Sequence, residues 1–333
     1  MNISDVRNLH IELTTKCNAR CPMCIRNISG YPYNAGYPLA EISFNDYKTI
    51  FKPEFLMQMN KVNFNGNLGD FGVAQDAAKV LHYTADYVTE IQVETNGGMR
   101  TEKWWAALVR DNVEIIFALD GFEDTHSLYR IGTTYSKVLS NALAFIKAGG
   151  KATWKMIAFD HNKHQIQLAE ELSNKLGFDR FWLIDDTNRL ECAVFKTDGE
   201  FDYWIGKDEP PRGQIQLEQE KYPYPENEFE MAIKHEIPNH MKKIHCLDHL
   251  DVKQIYIAGD GSVYPCCFTG SFPQSMALKG NEQLKDLVYE NNAIEYGLEH
   301  SIQWFDNLYN LWNLPDINSG KPFMCLSHCT HSS

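Results

Sequence analysis

The chain has 333 residues, 44% of them hydrophobic, and a formal net charge of −13. This length allows one large domain or two, and the acidic charge argues against binding to duplex nucleic acid, because phosphate contacts need a basic face. The first ten residues contain no basic segment followed by an apolar one, so no signal peptide is evident. No run of about 18 apolar residues occurs. We therefore expect a cytoplasmic protein without a membrane span.

The first half of the chain alternates strand-like and helix-like segments. Short apolar runs rich in β-branched and aromatic residues predict strands at 9–14, 61–65, 88–95, 113–119, 153–159 and 181–184. Capping residues and apolar periodicity predict helices at 43–59, 74–83, 101–109, 135–148 and 165–176. Six βα units in series predict an α/β fold with a parallel sheet. Polar residues and glycines gather after the strands, at the edge where such folds bind ligands.

The alternation stops near residue 186. Residues 187–245 are rich in acidic, proline and aromatic residues, which indicates a connector with some ordered structure. A hairpin is predicted next, with strands at 254–258 and 262–266 on either side of the turn Gly259-Asp260-Gly261. We therefore predict three parts, at 1–186, 187–245 and 246–333.

The nine cysteines are concentrated near the two ends of the chain. Cys17, Cys21 and Cys24 follow the first strand with the spacing C-x3-C-x2-C, and five more lie between Cys246 and Cys329. Without a secretory signal, metal binding is favoured over disulfides. Thiolates bind zinc or iron–sulfur clusters. The first three cysteines can hold a four-iron cluster with one open iron, or a structural zinc that takes a fourth ligand from elsewhere.

The string LxxxTTxCNxxCxxC around the first three cysteines resembles the radical S-adenosylmethionine (SAM) enzymes. After the second strand, GNLGD resembles the family motif in which Gly69 and Asp70 would hold the SAM amino group. After the third strand, Thr95-Asn96-Gly97 fits the family's common ending, so Thr95 and Asn96 are assigned to the cofactor site. Met23 stands where the family usually has an aromatic residue, whose backbone typically meets the adenine.

After the fourth strand, LDGFEDTHSLYR resembles a family pattern that would place Asp120 near the SAM ribose and Arg130 near its carboxylate. The resemblance covers about residues 7–184 and implies a partial (β/α)6 TIM-like barrel. Each residue also has a structural alternative, since Asp70 can cap a helix, Asn96 can form a turn, and Arg130 can pair at the surface. We interpret His126 in the same string as structural.

The C-terminal cysteines resemble the SPASM/twitch extension of radical SAM enzymes. Cys246 is followed by fourteen residues, Gly261, four residues and Cys266, and Cys325 and Cys329 would supply the remaining ligands. This resemblance implies a small C-terminal domain with one auxiliary 4Fe-4S cluster. A four-cysteine zinc site is the alternative.

Two cysteines have no assigned place at either metal centre. Cys192 is interpreted as a small apolar residue and Cys267 as a buried thiol.

The resemblance implies an oxidoreductase with two 4Fe-4S clusters. SAM would bind the open iron, and its reductive cleavage would yield a 5′-deoxyadenosyl radical that abstracts a substrate hydrogen. The auxiliary cluster would accept the remaining electron, which favours net oxidation by dehydrogenation or bond formation. A flavodoxin or ferredoxin would supply the first electron.

The substrate is not determined by these motifs. The first strand begins near residue 9, so we expect no N-terminal leader-binding module, and hence a small molecule such as a sugar or aminocyclitol, or a peptide recognised without a leader. Two other functions stay open: an RNA-modifying radical SAM enzyme and a non-catalytic, metal-stabilised binding protein.

Overall fold

Ten strands lie in the part of the chain that the structure describes. The computed structural model describes residues 1–27, 29–32, 39–185, 191–206, 215, 245–271 and 290–312. The strands are β1 (Asn8–Ile11), β2 (Lys61–Phe64), β3 (Ile91–Thr95), β4 (Val113–Ala118), β5 (Lys151–Ile157), β6 (Arg180–Ile184), β7 (Cys192–Phe195), β8 (Phe201–Ile205), β9 (Gln254–Ile257) and β10 (Val263–Tyr264). Eight of them form one sheet in the order β10-β9-β1-β2-β3-β4-β5-β6, and β7 and β8 form a separate pair.

Helices follow most of the strands of the large sheet. They are α1 (Phe44–Ile50), α2 (Pro53–Leu56), α3 (Ala77–Ala85), α4 (Glu102–Ala106), α5 (His126–Tyr129), α6 (Tyr135–Lys147), α7 (Ile166–Leu176), α8 (Cys267–Ser271) and α9 (Leu298–Trp312). Among the residues described, no helix combines the length and the apolar character that crossing a bilayer requires.

The six predicted strands are all present and all neighbouring pairs from β1 to β6 are parallel. The predicted α/β class is therefore confirmed. Parallel neighbours need crossover connections, and the helices between the strands supply them. The carboxyl ends of β1 to β6 consequently lie at one edge of the sheet.

Local sequence signals explain where several helices begin and end. The Ser43 hydroxyl accepts a hydrogen bond from the Asp46 amide at 3.1 Å and caps α1. Gly177 adopts a left-handed conformation, with φ of 86°, at the end of α7. The single helix predicted over 43–59 is instead two short ones, because Pro53 lacks an amide hydrogen and begins a new helix at its first position.

The two faces of the strands differ sharply in polarity. Val93 of β3, Phe117 of β4 and Trp154 of β5 are fully buried and pack in the main apolar core together with residues of the helices. Alternate positions carry polar side chains, and Glu94 of β3 pairs with Lys155 of β5 at 2.6 Å. The apolar face holds the helices, and the opposite face presents polar groups.

The predicted C-terminal hairpin is present and joins the main sheet. β10 pairs antiparallel with β9, and β9 pairs parallel with β1, with Asn8 opposite Gln254 and Ile11 opposite Ile257. No pattern in the sequence predicts this second pairing. It brings a strand from the last quarter of the chain next to the strand that precedes the first cysteines.

Part of the predicted connector is also ordered. β7 and β8 form an antiparallel hairpin with an irregularity between Val194 and Phe195. Residues 186–190, 207–214 and 216–244 of this segment lie outside the described residues.

Candidate functional site

The loops after β1, β2, β3 and β4 meet at the carboxyl edge of the sheet. The Asp70 amide, after β2, donates to the Lys16 carbonyl, after β1, at 3.0 Å. The Asn96 side chain, after β3, reaches both Asn18, at 3.0 Å, and Cys17. Arg130, after β4, lies 3.8 Å from the Cys21 sulfur, so the sequence-predicted residues of these four loops are brought together.

The three N-terminal cysteines lie on one short loop that follows β1. Cys21 is buried, Cys17 and Cys24 are half-buried, and the Cys24 amide donates to the Cys21 carbonyl at 2.9 Å. The Cys17 sulfur accepts hydrogen bonds from the Ala19 amide at 3.4 Å and from Asn96 Nδ2 at 3.6 Å. Nitrogen donors therefore face the sulfur of at least one cysteine from two different loops.

Burial makes these thiols poor acids in the metal-free chain. Burial, together with the nearby Asp70 carboxylate, raises the pKa of Cys17 to about 12, and burial also raises the pKa of Cys21. The two thiols would therefore stay protonated at neutral pH unless a metal displaced their protons, as bound metals do.

Among the residues described, no three Cys, His, Asp or Glu side chains converge as ligands of a single ion. Such convergence is what a site for one metal ion requires. In a four-iron cluster each cysteine binds a different iron, so the thiols do not share one centre.

Asp70 is a buried carboxylate that ties together the loops after β2 and β3. Its oxygens accept hydrogen bonds from the Gly72 amide at 2.9 Å, the Asn96 amide at 2.7 Å and the Thr95 hydroxyl at 3.0 Å. Burial raises the pKa of Asp70, although these donors oppose the shift. Asp70 also caps the 3-10 turn Phe71–Val73 through its bond with the Gly72 amide, so the structural role predicted as the alternative is present. Its predicted contact with SAM stays a prediction.

Gly69 lies where two loops touch backbone to backbone. A Cβ at this position would lie 1.6 Å from the Thr14 carbonyl oxygen, so no other residue fits without moving the loop.

Asp120 and Arg130 form an ion pair beside the cysteines. Asp120 is fully buried, and one of its oxygens accepts from Arg130 Nε at 2.5 Å while the other accepts from the Ile157 amide at 2.6 Å. Burial by itself would lower the Arg130 pKa. The adjacent Asp120 carboxylate has the opposite and larger effect, so the Arg130 pKa is raised. Arg130 Nη1 lies 3.8 Å from the Cys21 sulfur. The Asp120 side chain is fully buried and that of Arg130 is 16% exposed, so a pair at the surface does not describe them.

His126 has the contacts expected of a structural residue. Its Nε2 lies 2.9 Å from the Thr133 hydroxyl, and its Nδ1 accepts from the Asp120 amide at 3.2 Å. Burial lowers the pKa of His126 to about 4, so the ring is neutral at pH 7.

Met23 and the β7–β8 hairpin contribute to an apolar cluster around the cysteine loop. Met23 and Cys24 pack against a group of buried residues that includes Cys21, Val194 of β7 and Ile205 of β8. The Phe195 amide also donates to the Ser29 carbonyl at 2.9 Å. The hairpin therefore covers one side of the loop, a role that sequence reasoning did not predict because its strands lie within the predicted connector.

Glu12 is a second site residue that sequence reasoning missed. It is 2% exposed, and it accepts hydrogen bonds from the Leu68 amide at 2.6 Å, the Gly69 amide at 2.8 Å and the Tyr256 hydroxyl at 2.9 Å. The sequence does contain a signal for Glu12, because it is a carboxylate within the apolar run LHIEL. Acidic residues are rarely fully buried unless they have a partner.

The C-terminal cysteines are described in part. Cys246 and Cys266 are buried, whereas Cys325 and Cys329 lie outside the described residues. Cys192 is half-buried. The prediction that Cys267 is a buried thiol is wrong, because it is half-buried where it begins α8.

Comparisons with known proteins give a match in structure but not in sequence. No protein-family model matches the chain, and no curated protein does. SuiB of Streptococcus suis bound to the precursor peptide SuiA has a TM-score of 0.55 and 13% identity, over 92% of this chain and 67% of SuiB. SuiB bound to SAM has a TM-score of 0.53 and 12% identity, over 90% of this chain and 65% of that one.

A third structure, anSMEcpe with bound AdoMet, has a TM-score of 0.48 and 14% identity, over 98% of this chain and all of that one.

Similarity at this identity shows the fold. SuiB binds SAM, so the chain shares its fold with a SAM-binding protein, and the predicted α/β fold class is confirmed at that level. The chain spans about two thirds of the length of SuiB.

Proposed function

We propose that this chain is a radical SAM enzyme. Cys17, Cys21 and Cys24 would hold a 4Fe-4S cluster, and SAM would bind beside it. The observation that carries this proposal is that these cysteines share the carboxyl edge of the sheet with Asp70 and Arg130, in a chain with the fold of radical SAM enzymes. The structural neighbours support an enzyme.

The cysteine loop fits a 4Fe-4S cluster in its chemistry. Three thiols lie within eight residues, and N–H groups of Ala19, Asn96 and Arg130 lie near the sulfurs of Cys17 and Cys21. Hydrogen bonds to sulfur are among the means by which proteins set the potential of such clusters. When bound, the cluster and SAM supply a 5′-deoxyadenosyl radical that removes a hydrogen from the substrate.

The neighbouring loops would orient SAM. Asp120 holds the Nε edge of the Arg130 guanidinium, which leaves Nη1 directed toward the cysteine loop, where the SAM carboxylate would lie. Asp70 and Gly69 are fixed by the contacts described above, and the SAM amino group would lie against this loop. Thr95, Asn96 and the backbone of Met23 would complete the pocket, with the ribose near Asp120.

An auxiliary 4Fe-4S cluster is the second part of the proposal. Cys246, Cys266, Cys325 and Cys329 would be its ligands, and Cys246 and Cys266 are both buried, as ligands of a shielded cluster would be. The cluster would accept the electron left on the substrate, so we propose a net oxidation, either dehydrogenation or bond formation. A flavodoxin or ferredoxin would supply the first electron.

We propose that the substrate is a peptide or a small polar molecule. A peptide substrate is supported by SuiB, which shares this fold and has been solved with the precursor peptide SuiA bound. A polar substrate is supported by the polar face of the sheet, where Glu94 and Lys155 are only partly buried.

Anaerobic reconstitution tests both clusters. We expect about eight iron and about eight sulfide per chain, because each cluster contributes about four of each, and SAM should be cleaved to 5′-deoxyadenosine when dithionite is added. Replacing Cys17, Cys21 and Cys24 together with Ala should leave about four iron and abolish SAM cleavage. Zinc in place of iron at the C-terminal site would exclude the auxiliary cluster, and iron without SAM cleavage in the parent protein would exclude the radical SAM function.

A further inference from the structure

Glu12 connects three parts of the chain through one buried side chain. Its carboxylate lies at the end of β1, and the two amides that donate to it belong to Leu68 and Gly69, in the loop that follows β2. Two adjacent amides on one carboxylate oxygen fix the direction of the loop backbone, since both N–H groups must point at the same atom. The position of Gly69 and Asp70 therefore depends on where the Glu12 carboxylate is held.

Tyr256 of β9 holds that carboxylate from the other side. Its hydroxyl donates to the second oxygen of Glu12 at 2.9 Å, and both side chains are almost completely buried. A buried carboxylate strongly favours donors, because an unpaired charge away from water is unfavourable by several kcal/mol. The hydroxyl, together with a hydrogen bond from the Gly259 backbone, therefore restricts the carboxylate to one orientation.

The backbone around Glu12 is packed without room for adjustment. A Cβ on Gly259, in the turn of the C-terminal hairpin, would lie 2.8 Å from the Thr15 nitrogen, and a Cβ on Gly69 would overlap the Thr14 carbonyl. The hairpin turn and the loop after β2 therefore both touch the residues that lead into the cysteine loop. A shift of β9 would move the surroundings of both Cys17 and Gly69.

We propose that Glu12 and Tyr256 are positioning residues for SAM, and that β9 of the C-terminal hairpin is thereby a structural part of the SAM site. This inference rests on the proposed function, because the loop they hold is the one assigned to the SAM amino group. The C-terminal hairpin would then support the SAM site whether or not Cys246 and Cys266 bind a metal.

The test compares two variants that each remove one buried tyrosine hydroxyl. Tyr256→Phe removes the bond to Glu12. Tyr47→Phe, the matched control, removes a 2.8 Å bond to Thr84 in a fully buried place away from the cysteine loop. The reconstituted full-length proteins are compared by iron content, by the equilibrium dissociation constant for SAM, and by the change that SAM causes in the electron paramagnetic resonance spectrum of the reduced cluster.

We expect Tyr256→Phe to keep the iron content of the parent and to bind SAM roughly ten-fold more weakly, which corresponds to about one hydrogen bond to a charged group. Tyr47→Phe should bind SAM like the parent. Glu12→Ala, which removes the acceptor of all three hydrogen bonds, should weaken SAM binding at least as much. Equal SAM affinity in Tyr256→Phe and the parent would overturn the proposal.

Hydrogen–deuterium exchange separates this proposal from the proposed function. The amides of Leu68 and Gly69 should exchange faster in Tyr256→Phe than in Tyr47→Phe, whether or not SAM is present. If the parent protein does not bind SAM, the proposed function fails, and faster exchange would still show that Tyr256 holds the loop. Unchanged exchange at these two amides would remove the structural basis of the inference.

Discussion

At the scale of single residues, the candidate site consists mainly of buried polar groups that satisfy one another. Asp70, Asp120 and Glu12 are each buried, and each accepts several hydrogen bonds from neighbouring loops. A carboxylate with several donors can stay charged in a buried place, and it fixes the loops that supply the donors. These three carboxylates therefore determine the shape of the edge where SAM is proposed to bind.

Asp120→Asn tests the structural importance of the buried pair. The substitution leaves the Arg130 charge without its carboxylate, so we expect the free energy of unfolding to fall by about 3–5 kcal/mol. Glu200→Gln breaks the exposed pair between Lys196 and Glu200 and should change the free energy of unfolding by about 0–1 kcal/mol. Denaturant unfolding of both variants gives the comparison. Similar small losses in the two would show that Asp120 contributes no more than a surface group.

At the scale of elements, the β7–β8 hairpin has the least expected position. It packs on the cysteine loop through Val194 and Ile205, although its two strands lie in the segment interpreted as a connector. An apolar cover beside an iron–sulfur cluster limits access of solvent, and solvent exposure is one of the factors that set cluster potentials. The hairpin is therefore expected to protect the proposed cluster as well as to stabilise the loop.

Val194→Asp tests the role of this cover. A charge at a buried position of the hairpin should separate it from the cysteine loop, so we expect the first cluster to be incompletely loaded and to lose iron faster in air. Thr197→Asp adds the same charge at an exposed position of the same hairpin and should leave both properties unchanged. Iron content and the decay of the cluster absorbance in air are the measurements. Equal decay in the two variants would contradict the proposed cover.

At the scale of the whole molecule, the C-terminal hairpin continues the sheet of the barrel. β9 lies between β10 and β1 near one edge of the eight-stranded sheet, so removing the hairpin would expose the edge of β1, whose apolar face is buried. The predicted division at residue 246 stays a prediction. If the two parts are separate domains, their contact still includes paired strands.

Two truncations test how far the sheet depends on this hairpin. A chain that ends at Gly206 lacks β9 and β10, and we expect it to aggregate or to lose cooperative unfolding. A chain that ends at Trp312 keeps both strands and should unfold cooperatively and bind SAM, while it loses the auxiliary iron together with Cys325 and Cys329. Soluble yield, denaturant unfolding and iron content distinguish them. A soluble, cooperative chain ending at Gly206 would show that the barrel is independent of the hairpin.

The order of elements and the cysteine loop could be read from the sequence because both depend on local patterns. The spacing of Cys17, Cys21 and Cys24, the apolar strands and the polar residues after them are each visible within a few neighbouring positions. The predicted strands were found with ends shifted by a few residues, since hydrogen bonding to neighbouring strands decides where each strand stops. Pro53 shows that a single residue can divide a helix that periodicity predicts as continuous.

The contacts that complete the site join residues that are far apart along the chain, and no local sequence pattern predicts such contacts. Glu12 and Tyr256 are 244 positions apart, and their hydrogen bond follows from the register of β9 against β1. The same holds for the hairpin that covers the cysteine loop. The sequence by itself determined the kind of fold and the cysteines that are proposed to bind a cluster. The tertiary structure decided which buried carboxylate meets which donor, because that depends on how strands distant along the chain pair and pack.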